Sequence, residues 1–157
     1  LIGLSIGLLI SLLISLIKEK RSGKIYDLES LENLLLTQTI NNIGLKDISI
    51  DSGNIVFLRE FLKSQKAKNI SFLSLEKNQN DINSIQKIIN SITKEDQLGV
   101  NIKLFGNARE LSKLRDTNNI ILFTSLDSLY YSEIKELKNW VDLLSINLLG
   151  IVFLDKT

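Results

Sequence analysis

Residues 1–17 (LIGLSIGLLISLLISLI) carry no charge and no Asn or Gln, with only Gly and Ser interrupting Leu and Ile. A helix of this composition has no polar face to turn toward water. Seventeen helical residues rise about 26 Å, near the ~30 Å hydrocarbon thickness of a bilayer, so residues 1–17 are predicted to form a transmembrane helix. The chain contains no Met, and Leu1 is therefore expected to follow further upstream sequence. A secretory signal peptide carries its basic residues before the apolar run; here they come after it.

Those residues are Lys18, Lys20, Arg21 and Lys24, which with Glu19 give a net +3 over residues 18–24. They define a basic juxtamembrane linker that contacts membrane lipids and, by the positive-inside rule, place residues 18–157 in the cytoplasm. Within the apolar run Gly3, Gly7, Ser11 and Ser15 recur every four positions. Such a stripe lets a second helix approach closely in lipid, and it predicts helix–helix packing and a homo-oligomer.

Composition removes whole classes of chemistry from the remaining chain. There is no Cys and no His among the 157 residues, which excludes thiol nucleophiles, imidazole bases, disulfides and the common zinc sites. The overall charge is +1, so residues 25–157 are slightly acidic, which argues against nucleic acid as a partner.

Beyond Gly23 the hydrophobic periodicity alternates. Asp27 is placed to cap a helix bearing Leu28, Leu31, Leu34 and Leu35. Residues 37–54 read as an irregular connection with a short strand at 48–50, and residues 54–65 as a helix with Ile55, Leu58, Phe61 and Leu62 on one face. Strands are predicted at 69–75, 100–105, 120–124 and 148–154. Helices are predicted between them: one capped by Asp81, a short one starting at Asn107 and one over 132–145. This order implies parallel strands and right-handed crossovers. The expected fold is α/β: a Rossmann-like, P-loop NTPase-like domain over residues 25–157, with a mainly parallel sheet of about four strands flanked by helices.

In such sheets ligands bind beyond the carboxyl ends of the strands. The loop Glu76-Lys77-Asn78-Gln79-Asn80-Asp81 has no Gly, and no Gly-Lys-Ser/Thr occurs anywhere in the chain. A phosphate-cradling loop needs both. Glu76 and Asp81 repel polyphosphate, and Lys77 reads as a solvated loop lysine. Asp127 and Asp155 lie where a magnesium-organising carboxylate can sit, yet each stands in ordinary turn chemistry. Tyr130, Tyr131 and Trp140 read as partly buried packing residues. The residues therefore assign no catalytic, cofactor-binding or metal-binding position, and no cofactor.

The order IGLSIGLLISLLISLI, KEKRSGKIYDLESLENLL and an α/β domain resembles the C-terminal half of polysaccharide co-polymerases, the chain-length-determinant family of bacterial glycan export. Many members of that family fuse a P-loop tyrosine kinase of the BY type to their second membrane helix. VFLREFLKSQKAKNISFLSL is similar to the kinase-domain helix and first strand. Of that helix's E-x-x-R-x-x-R pattern only Arg59 keeps its place, with Val56 and Leu62 at the flanking positions. NNIILFTSLDSLYYSEIKELKNWVDLLSINLLGIVFLD resembles the last α/β unit, and Gly150-Ile151-Val152 fits its closing strand. The Walker A residues, an Asp-x-Asp after the second strand and a tyrosine cluster before Thr157 have no counterpart.

The resemblance implies a catalytically degenerate, pseudokinase-like relative in the bacterial inner membrane. Such a protein is non-catalytic and regulates the chain length or polymerisation of a surface polysaccharide by oligomeric scaffolding. Its partners are other copies of itself and the polysaccharide polymerase and export machinery, with Arg59 as an oligomer contact. The alternative within the family is a divergent tyrosine kinase or ATPase. A membrane sensor with a receiver-like domain is a third class, but it needs a cluster of acids around a phosphoacceptor Asp.

Overall fold

The computed structural model describes residues 2–45, 53–65, 69–93, 101–105, 110, 119–126 and 129–156, of which the side chains of 2–4, 18–22, 69 and 101–105 are left undescribed. The elements are helix α1 (Ile2–Ser22), α2 (Leu28–Leu35), strand β1 (Thr39–Gly44), α3 (Gly53–Ser64), β2 (Asn69–Ser74), α4 (Gln79–Thr93), β3 (Asn101–Phe105), β4 (Asn119–Thr124), α5 (Tyr131–Leu143) and β5 (Asn147–Asp155). The predicted strand at 48–50, the helix starting at Asn107, and Asp127 lie outside the described residues.

The strands form one sheet in the order β1-β5-β4-β2-β3, and every pairing is parallel. The Rossmann-like α/β class follows directly. From β4 the side chains alternate to two cores, as period-two geometry requires. Ile120 and Leu122 join Leu31, Leu35, Ile134 and Leu137 under α2 and α5. Ile121 and Phe123 join Ile55, Leu58, Ile85, Ile88 and Ile92 under α3 and α4. The crossovers that step toward β3, through α3 and α4, lie on one face, and the crossover that steps away from it, through α5, lies on the other. That is the arrangement a single crossover hand produces.

Two expectations need correction. The stretch read as an irregular connection contains β1, which makes a fifth strand. Its sequence TINNIG buries only Ile43, as suits an edge strand with polar residues on its open side. The second correction concerns Asp81. It lies inside the first turn of α4 rather than capping it, and its carboxylate is engaged elsewhere. The Asp27 cap is as predicted: Oδ1 accepts from Ser30 N–H at 2.6 Å and Oδ2 from the Ser30 hydroxyl at 2.9 Å.

Edge strand β1 is held at both ends of its approach. Thr39 N–H donates to Glu32 Oε1 at 2.6 Å, and this backbone hydrogen bond holds the Glu32 carboxyl below its ordinary value of 4.5. At its other face β1 presses on Gly150, where a Cβ would stand 2.5 Å from Ile40 Cγ2. The pairings β1·β5 and β4·β5 both shift register beside this contact, between Thr39 and Asn41 and between Ile120 and Ile121.

Two predictions follow from that edge. Gly150→Ala should lower stability by about 1–3 kcal/mol, the usual cost of overpacking, and Ile40→Ala in the same chain should recover part of the loss in a urea-melt double-mutant cycle. The stabilisation from the Glu32 carboxylate is complete above 4.5 and disappears as pH falls through its depressed folded value. E32Q should therefore flatten the acid limb of a stability-against-pH profile.

Candidate functional site at the carboxyl edge of the sheet

Leaving β2, the chain crosses to β3 on one side and then returns to β4 on the other, so the crossovers diverge between β2 and β4. A crevice outside the carboxyl ends of these two strands is where an open α/β sheet receives ligands. At this edge stand Ser74, Leu75 and Glu76 from the end of β2, Asp81 from the first turn of α4, Thr124 and Ser125 from the end of β4, and Lys156 just past β5.

Glu76 is 3% exposed. Its Oε1 accepts from Ser125 N–H at 2.7 Å and its Oε2 faces Lys156 Nζ at 3.1 Å. Lys156 Nζ also lies 2.7 Å from Asp81 Oδ2. Glu76 N–H donates to the Ser74 hydroxyl at 3.1 Å, which fixes the turn that delivers the carboxylate. Burial works against the charge on Lys156, but the hydrogen bonds to Asp81 and then Glu76 outweigh it and raise its pKa above the ordinary lysine value of 10.5. Among the described residues, Lys156 is the cation that both largely buried carboxylates share. Among the described residues, no group of three or more His, Cys, Asp or Glu has the geometry to hold a metal.

Just outside this network Lys77 pairs with Glu133 at 2.7 Å and lies 4.7 Å from the centroid of the Tyr130 ring. The hydrogen bond to Glu133 is the main reason its pKa is raised. Lys77 is well exposed, in keeping with a solvated loop residue. Tyr130 also carries Lys24 Nζ 5.9 Å from its ring centroid. Trp140 packs at the edge of the core under α5. The Asp155 carbonyl holds the chain after β1 by accepting from Leu45 N–H at 2.8 Å.

The other predicted site residues lie apart from this crevice. Gly7, Ser11 and Ser15 are exposed on α1, with Gly3 on the same helix. Lys18, Lys20 and Arg21 continue α1 rather than forming a linker, and Lys24 follows at the joint. Arg59 is buried and donates to the Ser91 carbonyl of α4 at 3.2 Å. Its helix shows Val56 and Phe57 to the outside instead. Glu76 was legible only as a repulsive loop charge, because its partner Lys156 lies 80 residues away and no local pattern links the two.

In comparisons with family models, curated proteins and solved structures, nothing matches this chain.

Removing the shared cation isolates a question of charge. K156M should destabilise the fold by about 1–3 kcal/mol, less than the loss of one partner from a fully buried pair, because Lys156 is partly solvated. Adding E76Q should recover part of that loss. In the parent chain the lysine's contribution is complete below 10.5 and fades as pH rises through the elevated folded value. A stability profile followed by circular dichroism into the alkaline range checks both.

Proposed function

We propose that this chain is a non-catalytic, membrane-anchored component of bacterial surface-polysaccharide biosynthesis and export. In this reading α1 holds the protein in the inner membrane, and residues 25–157 form a cytoplasmic module for docking and oligomerisation. The observation that carries the anchor is the exposure of α1. Nine large apolar side chains from Ile6 to Ile17 each stand more than half exposed along it. An apolar helix uncovered all round needs a cover of lipid or protein. Among the described residues, no helix is long and apolar enough to cross a membrane. The described side chains of α1 span residues 5–17, and the apolar sequence itself begins at Leu1.

The non-catalytic part of the reading is supported by the crevice. Its buried carboxylates already share an internal cation, and no glycine-rich phosphate loop follows β2. The link to glycan export rests on the resemblance of the helix, basic segment and α/β order. The same fold can equally carry chemistry, since scaffold and function are separable. A divergent kinase or ATPase is therefore the second reading.

The experiment is replacement of Gly3 and Gly7 by Leu in the bacterium that encodes the chain. The expected outcome is weaker helix association in a membrane two-hybrid assay and a shifted length distribution of the surface glycan on gels. An unchanged glycan profile despite lost association would remove the glycan assignment. Calorimetry of the full chain in detergent with magnesium-ATP should show no saturable binding, whereas micromolar binding would favour the kinase reading.

A further inference from the structure

The joint between α1 and the domain is built, not slack. Gly23, in the left-handed region at φ 65°, turns the chain so that its carbonyl accepts from Tyr131 N–H at 2.6 Å, and Ile25 N–H donates to the Leu129 carbonyl at 3.2 Å. Lys24 and Tyr130 form an antiparallel bridge between these bonds. Ile25 is buried in the core under α2 and α5. The end of α1 is therefore fixed against the loop that leaves β4, at the carboxyl edge of the sheet.

A groove starts at this joint and runs between α2 and α5. Its first part, about 420 Å³, is lined by Lys24, Tyr26, Ser30 and Tyr131 among others. Its second part, about 340 Å³, shares Asn33, Leu34 and Tyr131 with the first and adds Lys135 and Lys138. Three lysines line it against one acid, Asp27, whose carboxylate is occupied by the α2 cap. Tyr26 and Tyr131 are half exposed at the mouth. A cationic groove with amphipathic rings at its opening is suited to the boundary of a membrane.

We propose that this α2–α5 groove binds the headgroups of anionic phospholipids, an inference that rests on α1 being the membrane anchor. The apolar run ends at Ile17, the five helical residues to Ser22 rise about 7.5 Å, and two further residues reach at most about 7 Å. Lys24 thus lies no more than about 15 Å beyond the hydrocarbon, and closer when α1 tilts. The headgroup layer occupies about 5–7 Å of that distance, and an anionic surface acts across a further ~8 Å in physiological salt. The bridge to Tyr130 and the hydrogen bond from Tyr131 keep the mouth of the groove near that height, within reach of the headgroup charge.

The test uses the full chain in nanodiscs of phosphatidylcholine with one-fifth phosphatidylglycerol, and native mass spectrometry counts the retained lipid. The parent chain should retain phosphatidylglycerol in preference to phosphatidylcholine. K24Q/K135Q should weaken that preference by about fivefold per lysine, the factor equivalent to the ~1 kcal/mol of one basic residue near an anionic surface. K18Q/K20Q/R21Q, which leaves the groove intact, should keep a groove-dependent share. If the groove variant retains phosphatidylglycerol like the parent and only the helix-end variant loses it, the proposal is overturned while the anchor stands. If the chain fails to enter the nanodiscs or to float with vesicles, the anchor reading and the proposal fall together. Matching thermal melts of the variants exclude misfolding as the cause.

Discussion

Burial of β4 on both faces is the constraint around which the domain is organised. A strand whose side chains enter two cores must have helices above and below it, and α2 with α5 and α3 with α4 supply them. Within the α3/α4 core Phe123 from β4 packs edge-on against Phe72 of β2, with ring centroids 5.2 Å apart. Parallel pairing of β4 with both β2 and β5 then brings three carboxyl ends to one edge.

Charge at this edge is balanced within the chain. Glu76 enters a position too enclosed for hydration, so it needs the Ser125 amide and a cation. Lys156 reaches it from the end of β5 while keeping contact with solvent. The same ammonium neutralises Asp81, which ties the first turn of α4 to β5 across the crevice. Electrostatics here acts as a clasp between elements that share no strand pairing, and an anion approaching the crevice meets two carboxylates as well as one committed lysine.

The parts of this fold that are legible in sequence are those in which burial imposes a period. Ile85, Ile88, Ile89 and Ile92 mark α4, Ile134 and Leu137 mark α5, and the continuously apolar IILF marks a strand buried on both faces. Strand β1 escapes the same reading because five of its six residues escape full burial, so no alternation is imposed on TINNIG. The site is less legible than the fold. Its geometry depends on Lys156 meeting Glu76 and Asp81 from far along the chain. Away from the site, Arg59, an oligomer contact by the resemblance alone, turns inward to the Ser91 carbonyl. Pairings of this kind are created by topology and leave no trace in local spacing.

The joint after α1 depends on main-chain groups more than on side chains. Gly23 supplies a conformation that other residues adopt only with strain, and the two hydrogen bonds flanking Lys24 use backbone atoms alone. The exposed residues around the joint can therefore change in charge and size without undoing its geometry, while Ile25 and Leu129 stay fixed by the core. Over evolutionary time the surface that α1 meets and the means of holding α1 to the domain can vary separately: chemistry at the rim is free to drift, while orientation is inherited through the backbone.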